Sequence, residues 1–134
     1  MILLDTCALI WNVNEDPVAR KARSAIARAA KAGELFLSPI SAWEIGVLVR
    51  RGRLRVRLPV ETYVSRAFTQ PGVRTAAFTP EIAVQSSSLP GDFHDDPADR
   101  ILVATAVLME LTLVTRDRRI LDYGRQGHVS VLAC

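Results

Sequence analysis

This chain is poor in the residues that build the commonest metal and redox sites. Its 134 residues include two cysteines, Cys7 and Cys134, and two histidines, His94 and His128. So few thiols exclude a disulfide framework and a zinc-type spacing, which makes a reducing cytoplasm the default compartment. Cys7 lies in an apolar run and reads as a buried free thiol. Two histidines are too few for an imidazole-based metal site, so His94 reads as a polar loop residue. Aromatic residues make up 6% of the chain, too few for a base-stacking platform. No glycine-rich phosphate loop is present. Long apolar runs are also missing. The longest, ILVATAVLMELTLV from Ile101 to Val114, contains Glu110 and is too short to span a bilayer. The opening MILLDTCALIW has no basic start and is broken by Asp5, so it is not a signal peptide.

What remains is an ordinary soluble composition, about half apolar, in a length that fits one compact domain over residues 1–134. The net charge is only +3, yet fifteen arginines face two lysines. Arginine's planar fork matches phosphate oxygens, although high-GC coding also favours arginine.

Short apolar runs separated by helical segments organise the chain. MILLD reads as a buried strand ending at Asp5, and Pro17 to Gly33 as a helix stopped by its glycine. Leu35 to Ser38 is a second apolar run. A helix follows from about Ser41, with Gly52 as terminator. RLRVRLP alternates arginine with apolar residues and looks extended. Pro59 to Gln70 reads as a helix, Pro71-Gly72 as a turn, Val73 to Phe78 as a short strand and Pro80 to Ser87 as a short helix. After a loop to Asp96, DPADRILVATAVLME opens a helix apolar nearly all round. LTLVTRD holds a strand ending near Thr115, and a helical turn and VSVLA close the chain. This alternation predicts a three-layer α/β domain: a parallel sheet with helices on both faces. Chemistry in such sheets collects at the carboxyl ends of the strands.

Four carboxylates occupy positions where an apolar residue, or the end of an apolar strand, is expected. Asp5 directly follows the first strand, where it is either a helix cap or a site residue. Glu44 falls within the apolar stripe Ile40, Trp43, Val47 and Leu48, so it is functional, snorkelling or paired with an arginine. Asp96-Pro97 suits a helix cap, and Asp99 falls in the first turn, nearer the buried body of the helix. Asp117 follows the strand LTLVT as Asp5 follows its own, unless it is a surface turn residue among Arg116, Arg118 and Arg119. Burying carboxylates is costly unless partners compensate them, and an oxygen-only cluster suits a hard divalent cation, Mg2+ or Mn2+. A second cluster, Arg50, Arg51, Arg53, Arg55 and Arg57, is either a phosphate-gripping rim or a solvated edge. Its alternation with Leu54, Val56 and Leu58 suggests packing on one side.

LDTCALIW, SAWEIGVL on a helix, HDDPADRILVATA and LVTRD, in that order, resemble a PIN-domain ribonuclease, and more narrowly a VapC toxin of a toxin–antitoxin pair. The resemblance runs from Met1 to about Val131. It implies a five-stranded, mostly parallel sheet flanked by helices, and a Mg2+- or Mn2+-dependent endoribonuclease whose acids are Asp5, Glu44, Asp99 and Asp117, with Asp96 as an accessory acid. Thr6 and Thr115 become candidate supporting donors. Cys7 departs from the Ser or Thr of many relatives, which removes a hydroxyl contact. The resemblance also implies a VapB-like antitoxin lying across the acidic crevice, and a homodimer. A receiver domain would want a lysine late in the chain, and there is none after Lys31. An aspartate-nucleophile phosphatase would want an acid where Cys7 stands. A housekeeping RNA-processing nuclease and a catalytically idle partner-binding module stay open.

Overall fold

A computed structural model describes residues 1–134. Strand β1 (Ile2–Leu4) is followed by helices α1 (Thr6–Val13) and α2 (Arg20–Ala32), strand β2 (Leu35–Leu37), and helices α3 (Pro39–Arg50) and α4 (Val60–Phe68). Strand β3 (Val73–Thr75) leads to helices α5 (Pro80–Ser87) and α6 (Pro97–Leu108), strand β4 (Thr112–Thr115), helix α7 (Arg118–Arg125) and strand β5 (Val131–Ala133). The five strands form one sheet in the order β3-β2-β1-β4-β5, and every pairing is parallel.

The apolar runs explain the layers. Residues of β1 and β2 are buried on both faces, as expected where helices cover a parallel sheet. Successive side chains point to opposite faces. Ile2, Leu4, Leu35, Leu37 and Val114 enter one core cluster with residues of α1, α2, α3 and α4. Leu3, Phe36 and Leu113 enter the other, with residues of α5, α6 and α7. Each fully buried leucine or isoleucine contributes about 2 kcal/mol of transfer free energy. The three-layer expectation holds. No helix is long and apolar enough to cross a membrane.

The differences from the sequence reading are local. The structure continues Asp5 into a two-turn helix, α1, which the sequence suggested only as a possible cap. Helix α2 starts at Arg20 rather than Pro17, and α3 starts at Pro39 rather than Ser41, because Ser38 caps it and proline suits its first turn. Gly33 ends α2 in the left-handed conformation, φ 70°, as expected of a terminating glycine. Residues 53–59 belong to no strand. The alternation there is real all the same: Leu54, Val56 and Leu58 pack on the first core cluster while the intervening arginines are exposed.

Strand order decides where a site can form. From β1 the chain moves outward through β2 to β3, then returns to the other side of β1 for β4 and β5. The switch point therefore lies between the carboxyl ends of β1 and β4, where crevices open in such sheets. Asp5 follows β1 directly, and Asp117 lies two residues beyond β4.

Candidate active site

Both strand-end aspartates cap helices while they face the switch point. Asp5 caps α1: its Oδ1 accepts from the Ala8 amide at 2.7 Å, and its Oδ2 accepts from Thr115 Oγ1 at 2.5 Å. Asp117 caps α7, accepting from the amides of Arg119 at 2.8 Å and Ile120 at 3.3 Å. Thr115 is fully buried and joins the two, because its hydroxyl donates to Asp5 and accepts from the Asp117 amide at 3.0 Å. The capping alternative for Asp5 is thus correct as local structure, Asp117 caps a helix where a surface turn was the alternative, and each cap also aims its acid at the crevice.

Glu44 and Asp99 arrive from two helices that pack on each other, α3 and α6. The buried face of α3 is carried by Ser41 and Ile45. Trp43 is 60% exposed, which corrects the stripe inferred from sequence: the tryptophan points to solvent, and Glu44 sits half-buried at the edge of the packed face. Thr6 Oγ1 hydrogen-bonds Glu44 Oε1 and lies 2.9 Å from Ser41 Oγ. A hydroxyl has one proton, so Thr6 gives it to the carboxylate and takes one from Ser41. Asp99 follows the capping residue Asp96, whose Oδ2 accepts from the Asp99 amide at 2.9 Å. Asp5, Asp99 and Asp117 therefore all lie at helix N-termini, where exposed amides and the helix dipole favour negative charge.

The four carboxylates line one pocket of about 310 Å³, together with Thr6, Cys7, Trp11, Leu102 and Arg116. Burial raises the pKa of Asp5, and the Asp117 charge adds to it against the Thr115 and Ala8 hydrogen bonds. Burial also raises Glu44, helped by Asp96 and Asp5 and opposed by Thr6. Asp99 is pushed up to about 7 by burial and by the charges of Asp96, Asp117 and Glu44. At Asp117 burial acts upward, but the Arg119 side chain and the amides of Ile120 and Arg119 outweigh it and hold the group low. Cys7 is exposed rather than buried, a correction to the sequence reading, because α1 turns it outward to the pocket wall. Partial burial and the charges of Asp5, Glu44 and Asp99 push its thiol up to about 11, so it is not a nucleophile at neutral pH.

Other expected residues separate. Asp96 is exposed and caps α6 without lining the pocket. None of Arg50, Arg51, Arg53, Arg55 or Arg57 lines it either. Arg55 and Arg57 instead border a separate concavity of about 590 Å³ with Arg66. Several neighbours were not read as site residues in the sequence. His94 Nδ1 accepts from the Asp96 amide at 3.3 Å, and its Nε2 lies 3.1 Å from Asp99 Oδ2. That nitrogen is misaligned for a hydrogen bond and is the one buried side-chain polar atom without a partner. Arg119 reaches both Asp117, at 3.3 Å, and Asp99, at 3.9 Å. Trp11 and Arg116 were also missed. The only sequence signal for these residues was their closeness in the chain to Asp5, Asp99 and Asp117.

The donor chemistry fits a hard divalent cation: all-oxygen ligands, three of them raised in pKa by shared burial and mutual repulsion. As placed, no three His, Cys, Asp or Glu side chains converge on one ion position. Each carboxylate is turned to a protein partner: Thr115 for Asp5, Thr6 for Glu44, His94 for Asp99 and Arg119 for Asp117.

Comparisons with known proteins agree with this geometry. The PIN-domain family profile matches residues 2–126. A curated relative, the ribonuclease VapC22 of Mycobacterium tuberculosis, is 33% identical over 131 residues, covering 97% of both chains. VapBC2 from Rickettsia felis, bound to a fragment of its promoter DNA, superposes with a TM-score of 0.72 at 16% identity, over 99% of this chain and 98% of that one. FitAcB from Neisseria gonorrhoeae matches with a TM-score of 0.64 at 22% identity, over 98% and 96%. The profile and the full-length relative fix the classification that the fold allows: the chain belongs to the PIN-domain family, in its VapC group.

Proposed function

We propose that this chain, acting as a single domain over residues 1–134, is a Mg2+- or Mn2+-dependent endoribonuclease and the toxin of a VapBC-type toxin–antitoxin pair. The observation that carries this reading is the convergence of Asp5, Glu44, Asp99 and Asp117 on one pocket at the sheet's switch point. These four would hold the cation, which supplies an activated water and neutralises the phosphate when bound. The chain's own residues prepare that chemistry. Thr115 fixes Asp5 and ties it to Asp117, and Thr6 fixes Glu44. No side chain is needed as a covalent nucleophile, in keeping with the raised pKa of Cys7. Arg50, Arg51, Arg53 and Arg55 lie outside the pocket and would add sequence-independent attraction for the RNA backbone. Asp96 acts as a helix cap that adds negative charge near Asp99 and Glu44.

The ribonuclease name of the curated relative supports RNA as substrate, and the toxin–antitoxin assemblies among the structural neighbours support a VapB-like antitoxin as partner. A homodimer follows from the family resemblance. The test is cleavage of RNA by purified protein with Mg2+ or Mn2+ and with EDTA. Metal-dependent cleavage that Asp5→Asn removes is the expected result; equal cleavage by the variant would overturn the site. Growth arrest on unopposed expression, relieved by a co-expressed product of an adjacent small gene, separates a toxin from a housekeeping nuclease.

A further inference from the structure

The acidic pocket contains one cation that none of its carboxylates pairs with. Arg116 lines the pocket, yet no Asp or Glu side-chain oxygen lies within 4.0 Å of its guanidinium. Two contacts hold it instead. Its Nε donates to the main-chain oxygen of Cys134 at 2.8 Å, and its Cζ lies over the Trp11 ring, 4.0 Å from the centroid. An arginine present only to neutralise acid would be expected to close on Asp5, whose pKa its charge lowers. Asp5 is already satisfied by Thr115 and Ala8, so the guanidinium is left over the indole ring. Stacking of this kind suits arginine's delocalised, weakly hydrated cation and leaves the in-plane edge of its fork available for an acceptor. Trp11 also lines the adjoining concavity of about 520 Å³, so the stacked pair stands where the two depressions meet.

We propose that Arg116, held over the Trp11 ring, binds a phosphate of the RNA strand beside the four carboxylates, with Trp11 as its positioning residue. This rests on the ribonuclease reading. A planar fork takes two oxygens of a phosphate at once, and a guanidinium already ordered by stacking loses less freedom on binding. Arg116 thus supplies the positive counterpart that a strand needs to approach four carboxylates.

The test is fluorescence anisotropy with an end-labelled, mixed-sequence single-stranded RNA in EDTA over a salt series, with Mn2+ affinity measured separately by calorimetry. Arg116→Ala is expected to weaken RNA binding about tenfold and to flatten the plot of log affinity against log salt by about 0.7, while Mn2+ affinity holds. Arg116→Lys should recover the slope but not the affinity, since an ammonium keeps the charge and lacks the fork. Trp11→Leu should weaken RNA binding severalfold at an unchanged slope, and Trp11→Phe, which keeps a ring, should do so less. Wild-type RNA affinity and slope in Arg116→Ala, or a loss confined to Mn2+ binding, would overturn the assignment. If the unaltered protein neither binds nor cleaves RNA, the ribonuclease reading fails and this one with it. If it does cleave and Arg116→Ala binds equally well, only this inference fails.

Discussion

At the scale of single residues, the acids differ in what holds them. Asp5 and Asp99 are the most buried of the four in their side-chain surroundings, and both are raised in pKa. Asp5→Asn and Asp99→Asn should each reduce metal-dependent RNA cleavage by about two orders of magnitude or more, the scale lost when a charged group is removed from a transition-state site. Both should keep the wild-type circular dichroism spectrum: in Asp5→Asn the amide oxygen still accepts the capping hydrogen bond from Ala8, and the Asp99 side chain caps no helix. Asp99 also makes a prediction about pH. Its folded pKa of about 7 lies above the ordinary 3.8, so protonation favours the folded state. The stabilisation is complete below about 3.8 and is lost as pH rises through 7. Metal-free protein should therefore gain stability from pH 8 to pH 5. In Asp99→Asn that gain should shrink, and its melting temperature at pH 8 should rise by about 3–5 °C, an estimate of about 1 kcal/mol after allowance for solvent screening. An unchanged melting temperature at pH 8 would contradict the assigned burial and repulsion. His94 lies in a loop, as read, but its contact with Asp99 was not legible, and Cys7 is exposed rather than buried; both depend on the neighbours that face them.

At the scale of elements, helix ends do much of the positioning. Asp96 and Asp117 both cap helices, but only Asp117 lines the pocket. Asp96→Asn and Asp117→Asn should both stay near wild-type stability, and only the second should lose cleavage. Replacement of either by Ala should cost about 1 kcal/mol in chemical denaturation, the usual value of an N-cap. Equal activity losses in the two Asn variants would return Asp96 to the ligand set. The turn into β3 depends on Gly72. Its φ is 83°, and a Cβ there would stand 1.7 Å from the Ala30 carbonyl oxygen in α2. Gly72→Ala should therefore destabilise the protein by about 3 kcal/mol or more, from backbone strain and steric overlap together, as measured by urea denaturation. Element identity was legible wherever apolar runs and turn residues agreed, as in β1, β2, α5, α6 and β4. It failed at α1, whose residues Thr6 to Val13 are mostly apolar without a marked alternation of polar positions. At α3 the helix was legible and only its buried face was not, because Trp43 completes a helical stripe yet faces solvent.

At the scale of the whole molecule, site and stability are linked. If a divalent cation binds the folded chain alone, adding it at a hundred times its dissociation constant should stabilise the protein by about 2.7 kcal/mol. The rise in melting temperature should vanish in a combined Asp5→Asn, Asp99→Asn variant; a rise that persisted there would place the ion elsewhere. The amino-acid sequence by itself determined the α/β class, the strands and most helices, and the acids that the order of motifs singles out. It did so because apolar periodicity, caps and terminating glycines act over a few residues and need no distant partner. Only the tertiary structure decided which charges meet. The order β3-β2-β1-β4-β5 brings Asp5 and Asp117 to one crevice, and the packing of α3 on α6 brings in Glu44 and Asp99. The same folding sends Arg55 and Arg57 to a different concavity and lays Arg116 on Trp11, 105 positions earlier in the chain. Such contacts join segments far apart in sequence, and the sum of burial, repulsion and hydrogen bonding at each charge exists only once they are joined.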